Sequence, residues 1–224
     1  MKLGNRKNKI TEFNQSEIIQ NLNGILDENQ YNSIRNGICY MLSMEWLRLF
    51  VIGPSGLPNF APNNEIEYYK MIALDYITYS GFIKYANIII DPSEFKKDPI
   101  LRADVYANLD KELGENCSNG KLKFKSFFNI TNCDNFISNI SAINKYALFR
   151  FDWLDKDNKN VAHMTAFIRI DGVLYFFDPN FGIFKIYSPD MNISEEEALR
   201  TLFDDIKETY NEGNEFCYGQ ISYN

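Results

Sequence analysis

Residues 162–180 read AHMTAFIRIDGVLYFFDPN, two alternating apolar runs joined at Asp171-Gly172. That dipeptide between such runs is among the strongest short-range signals for a tight β-hairpin. With the turn there, Ile170 faces Val173, Thr165 faces Asp178, and His163 faces Asn180. Facing residues share a sheet face and side chains alternate along a strand, so His163 and Asp178 become diagonal neighbours on one face. Such neighbours lie roughly 7–8 Å apart along the backbone, within reach of an imidazole and a carboxylate. A four-residue loop preserves this parity, whereas a three-residue loop reverses it.

Working outward, FGIFKIY after the hairpin, YALFRFDWL before it, KLKFKSFF from Lys121 and FCYGQISY at the end all alternate as strands do. Short helices are expected near Cys133–Ile143 and over 198–210. Ser194 and Glu197 form a capping box before the second of these, and Leu199, Leu202, Phe203, Ile206 and Tyr210 make its apolar stripe. The first half of the chain is helical. Residues 1–14 are polar and expected to be flexible, and Ser16-Glu17 caps a helix whose Ile18, Ile19, Leu22, Ile25 and Leu26 follow helical spacing. A second helix runs from Gly37 to about Phe50, ended by GPSGLP, and is apolar around most of its circumference. Two more follow, around Glu65–Tyr79 and Pro92–Leu113, the latter interrupted at Pro99. Helices first and an antiparallel sheet second is the α+β pattern, read as one domain over 15–224.

The 224 residues carry a net charge of −7, with 45% hydrophobic and 15% aromatic content. That argues for a well-filled globular core and against nucleic-acid binding, which needs a basic face. No run approaches the roughly 18 apolar residues of a membrane span. The basic start MKLGNRKNK is followed by polar residues rather than the apolar core of a Sec signal, so a cytoplasmic protein, or one exported by a route that reads a polar N-terminus, is expected. Four cysteines without a C-x-x-C pair read as free thiols in a reducing compartment.

A single histidine, His163, excludes a histidine metal cluster, and the dispersed cysteines give no zinc spacing, so neither metal nor cofactor is expected. Any general base of the usual kind is His163. An aspartate bonded to it fixes the tautomer and steadies the imidazolium, leaving the other ring nitrogen to deprotonate a thiol. Cys39 is the best-placed thiol, because a helix N-terminus stabilises a thiolate. Cys117 and Cys133 are not excluded by this logic, and Cys217 reads as core. The competing reading makes Cys39 a packed small hydrophobe and His163 a hydrogen-bonded sheet residue.

Three blocks resemble the YopT/AvrPphB group of bacterial effector cysteine proteases: GICYMLSMEW at 37–46, AHMTAFI at 162–168 and FFDPNFGIF at 176–184. The resemblance covers some 35 to 40 residues and implies a papain-like fold. It implies a Cys39 nucleophile, a His163 base and acid, an Asp178 orienter, and an oxyanion site made of the Cys39 amide with Asn32 or Asn36; Gln30 is a weaker choice. Ser43 and Trp46 read as helix packing, and Asn180 and Phe181 as shaping the aspartate turn. The implied partner is a host protein substrate reached without a Sec signal. The same triad also serves glutamine deamidation or transglutamination, and a degenerate scaffold would only bind.

Overall fold

The computed structural model describes residues 2–35, 37–60, 65–89, 99–154, 160–210 and 216–223, with backbone alone for 82–89, 99–104, 154, 160, 216–218 and 220. The helices are α1 Gln15–Asn21, α2 Glu28–Ile34, α3 Cys39–Ile52, α4 Glu65–Ile89, α5 Pro99–Cys117, α6 Cys133–Ser141 and α7 Glu195–Tyr210. The strands are β1 Lys9–Thr11, β2 Ser126–Ile130, β3 Tyr146–Leu154, β4 Asn160–Ile170, β5 Val173–Asp178, β6 Gly182–Tyr187 and β7 Phe216–Tyr223. They form one antiparallel sheet in the order β1-β6-β5-β4-β3-β7-β2.

Strand alternation splits the core into two layers. Leu148, Met164, Ala166, Ile168 and Phe177 pack against α3 and α4, while Phe149, Phe167, Phe176 and Phe184 meet α6 and α7 on the opposite face. Helix α3 is buried from Tyr40 to Leu47, as its near-continuous apolar circumference requires. Its Trp46 is fully buried against Phe177, ring centroids 5.2 Å apart. Burying each such side chain contributes about 1.5–3 kcal/mol.

The hairpin register is the expected one, with Ile170 opposite Val173 and Ala166 opposite Phe177. Asp171 and Gly172 both have positive φ, 50° and 80°, as a two-residue type I′ turn demands. Several expectations are corrected. Residues 3–14 are anchored rather than loose: Leu3 has no exposed surface, β1 adds to the sheet edge beside β6, and Arg6 pairs with buried Asp205 at 2.9 Å. A polar stretch was read as flexible because its few apolar residues carry no period. Asn14, not Ser16, caps α1, accepting from the Ser16 amide. Leu122 and Phe124 are buried outside any strand, because the amides of Leu122 and Lys123 donate to the Ser118 and Tyr146 hydroxyls instead of a neighbouring strand. Helix α5 is described from Pro99, whose missing N–H is no loss in a first turn; the expected start at Pro92 and the stretch leading into Pro99 lie outside the described residues.

Candidate active site

Cys39 is the first residue of α3, and the helix start is unusual for having no side-chain cap. In α1, α2 and α6 an Asn or Asp caps the corresponding end. The first turn of a helix leaves amides without intrahelical acceptors, so α3 presents an electropositive, uncommitted end at Cys39. The chain enters it through Gly37, whose φ of +122° favours glycine, with the Gln15 side chain packed closely against it. Gln15 accepts from the Ile38 amide at 2.9 Å, so a side chain from another helix holds the backbone one residue before the nucleophile and leaves the first-turn amides uncapped. One turn along α3, Ser43 donates to the Met164 carbonyl at 3.0 Å and ties the helix to β4 beside His163. Ser43 and Trp46 thus fix α3 against the two strands that carry the histidine and the aspartate.

The pairing of β4 with β5 ends at Ala166 opposite Phe177. Beyond it β4 stays with β3, where Phe151 faces His163, and β5 stays with β6, where Asp178 faces Gly182. The two strands therefore part just where His163 and Asp178 stand. Gly182 is required there, because a Cβ would sit 1.9 Å from the Thr11 carbonyl oxygen of the edge strand. The His163 Nε2–H donates to Asp178 Oδ1 at 3.0 Å, which leaves Nδ1 for the thiol of Cys39 on the wall of the same cavity. Asp178 is fully buried and accepts from the Asn180 amide at 2.9 Å; the Phe181 amide closes the turn on the Asp178 carbonyl at 3.0 Å.

Tyr210, the last residue of α7, completes the surroundings of the carboxylate. Its hydroxyl donates toward both Asp178 oxygens, at 2.8 and 3.0 Å, and lies 3.1 Å from His163 Nε2. Its own acceptor position is filled by Asn180 Nδ2 at 3.0 Å, and Asn180 Oδ1 accepts from Gln15 Nε2 at 2.5 Å. A continuous set of hydrogen bonds thus runs from the entry of α3 through Gln15, Asn180 and Tyr210 to Asp178 and His163. Burial pushes the Tyr210 phenol well up, reinforced by Asp178, so it stays protonated and acts as a donor.

The thiol and imidazole shift in opposite directions. Burial alone would raise Cys39, but the charge and hydrogen bond of His163, with the backbone of Met164, outweigh it and hold the thiol below its usual range. Burial alone would lower His163, but Asp178 and Cys39 overcome it and push the imidazole up to about 10. Both shifts favour a thiolate facing an imidazolium over the neutral thiol and imidazole. No other described thiol is so placed. Cys133 also begins a helix, yet desolvation raises it, and the charges of Arg200 and Lys207 do not outweigh that and the nearby Asp204 and Asp134. Cys117, its sulfur turned back toward the Gly114 carbonyl, is pushed up to about 11 by desolvation and Glu45. Cys217 lies in β7 with its side chain outside the described residues.

Cys39, His163 and Asp178 are therefore brought together, and Asn32 does not join them. Asn32 is exposed on α2 and held by Arg35 at 3.4 Å, and Asn36 lies outside the described residues. Gln30 caps α2 by a reciprocal bond with Asp27. Sequence reasoning misses Gln15 because it stands 24 residues before Cys39; the bond from its backbone amide to the Pro179 carbonyl, 2.8 Å, and its side-chain bonds to Ile38 and Asn180 bring it to the site. Tyr210 was read as one more residue of an apolar stripe; a hydroxyl at the end of such a stripe was the available signal. Among the described residues no group of three His, Cys, Asp or Glu could hold a metal, and no helix is long and apolar enough to cross a membrane.

Comparison with solved structures finds a likeness to the Pseudomonas avirulence protein AvrPphB, with a TM-score of 0.54 and 14% identity, over 85% of this chain and 92% of that one. At that identity the likeness shows the mixed helix and antiparallel-sheet fold alone. No family model and no curated protein matches the chain.

Proposed function

We propose that the chain is a cysteine protease of the bacterial effector type, with a papain-like arrangement of Cys39, His163 and Asp178. The observation that carries this reading is a single imidazole, bonded at Nε2 to buried Asp178, that shares a cavity with a thiol at a helix start lacking a side-chain cap. The Cys39 thiolate attacks the carbonyl carbon of a peptide bond. The oxyanion forms beside the free amides of the first turn of α3, the donors best placed to hold it. His163 then gives its Nδ1 proton to the leaving amine, and a thioester remains on Cys39. His163, now neutral, takes a proton from water, the hydroxide displaces the sulfur, and the thiolate and acid product return the site to its starting state. Asp178 keeps the imidazole oriented and stabilises its charge through both steps.

The effector resemblance supports a host protein as substrate and delivery into the host cell. The test incubates purified protein, and its Cys39→Ala form, with host lysate and profiles new protein N-termini. New termini that depend on Cys39 are expected. Intact proteins that gain only the small amide-to-acid mass at glutamine would overturn proteolysis in favour of deamidation, and no change of either kind would leave only a binding module.

A further inference from the structure

On the α3 face of the sheet, beside the thiol, lies a cavity of about 290 Å³ whose wall includes Cys39, His163, Tyr76, Tyr79, Tyr106 and Arg150. It opens at Ala162, which is exposed. Arg150 comes from β3, where alternation turns it to this face, and its guanidinium lies 3.8 Å over the Tyr106 ring. Its side chain is 18% exposed, and Asp152 takes its Nε–H at 3.1 Å. Stacking holds the planar group in one orientation, which suits bidentate recognition of a carboxylate. Burial pushes the phenols of Tyr76 and Tyr79 up, so both are hydrogen-bond donors. The Tyr79 hydroxyl is buried and close enough to Tyr40 to feel it, but it has no acceptor of adequate geometry among the described residues. A buried donor without an acceptor is costly, and a bound acceptor removes that cost. The other nearby acid, Asp110, lies behind Tyr40, and its two oxygens accept from the Tyr40 and Ser222 hydroxyls at 2.7 Å each. Apart from Cys39 and His163 themselves, Arg150 is the one charged side chain among the described residues of the cavity wall.

We infer that this cavity is a substrate subsite that takes the carboxylate of an acidic side chain close to the attacked bond, bound by Arg150 with the tyrosine hydroxyls around it. The inference rests on the protease reading. It names a residue class in the target that the triad itself does not select.

Two alkylating reagents of nearly equal size, iodoacetate and iodoacetamide, place a carboxylate or its neutral amide next to Cys39. Their rates at each cysteine are measured by mass spectrometry on the full chain near pH 7. The ratio of iodoacetate to iodoacetamide at Cys39 should exceed that at Cys117 about tenfold, the His163 charge contributing part of this. Arg150→Gln should reduce the Cys39 ratio roughly fivefold, as loss of one nearby cation in a partly screened site predicts, while Arg150→Lys keeps most of it. A folded Arg150→Gln with an unchanged ratio, and Cys39 still fast, overturns the subsite alone. Slow, equal labelling of Cys39 by both reagents overturns the thiolate reading and the subsite with it. Should Arg150→Gln fail to fold, the wild-type chain decides: propionate must slow iodoacetamide labelling of Cys39 more than equimolar propionamide does, and equal slowing refutes the subsite.

Discussion

Tyr210→Phe isolates one hydroxyl in the most connected part of the site. The ring contacts with Phe151, Trp153 and His163, at centroid distances of 5.1, 5.2 and 4.9 Å, survive the change. What is lost is the O–H donated to buried Asp178 and the oxygen that accepts from Asn180. A hydrogen bond to a charged group contributes about 1.5–3 kcal/mol, and an orphaned neutral donor costs about 1 kcal/mol or more. The Asn180 amide can turn toward solvent, so the net expectation is a loss of about 2–3 kcal/mol. For a chain of this length that is roughly 4–10 °C in melting temperature. The chemistry moves as well. Without the phenol, the Asp178 carboxylate bonds His163 more strongly, so the imidazolium persists to higher pH. Thermal unfolding reads the first effect, and the alkaline limb of the Cys39 alkylation profile, shifted upward, reads the second. A melting temperature within about a degree of wild type, with superimposable pH profiles, would refute a hydroxyl bonded to Asp178.

Stability should depend on pH in a way set by the pair. His163, raised to about 10 from an ordinary 6.5, contributes stability that is complete below 6.5 and lost as pH climbs through 10. Cys39, lowered from 9.0, contributes stability present above 9 and lost as pH falls through its folded value. Above 9 the pair's share declines as pH climbs toward 10, because the unfolded pair has lost both protons while the folded imidazolium keeps its own. Urea unfolding at pH 5, 8 and 10.5, referenced to a Cys39→Ala, His163→Gln double variant, measures it. Asp178→Asn removes the charge that most favours the imidazolium and should slow Cys39 alkylation at pH 7 by ten- to a hundredfold; an unchanged rate in a folded protein would contradict the orienting role. Gln15→Ala frees the Ile38 amide and Asn180 and should destabilise the chain by about 1–3 kcal/mol, with a larger fall in kcat than rise in KM for a cleaved peptide; a change in KM alone would show that Gln15 positions nothing at the nucleophile.

The hairpin was legible because Asp171-Gly172 fixes a turn, and a turn fixes which residues share a face. From that parity the approach of His163 to Asp178 followed without any knowledge of the rest. Cys39 was legible only as a thiol at a helix start, and Cys133 shares that feature; what separates them is the imidazole, which alternation alone does not bring through to the α3 face. The parting of β4 from β5 beyond Ala166 does so. Gln15 and Tyr210 were not legible as parts of a site, since their roles come from contacts across 165 and 32 residues of chain. Such pairings depend on how the layers close, not on local period. The N-terminal strand was missed for a related reason, because a three-residue edge strand gains its stability from the partner it joins.

The central claim is that Cys39 is a thiolate at neutral pH. Absorbance near 240 nm, recorded from pH 4 to 11 on the wild-type chain with Cys39→Ser subtracted, counts that thiolate directly. One thiolate already present at pH 7, vanishing only at lower pH and independent of the high-pH rise from Cys117, is the predicted result. A difference signal that emerges only near pH 9 would contradict the account, because Cys39 would then be an ordinary packed thiol beside a neutral histidine.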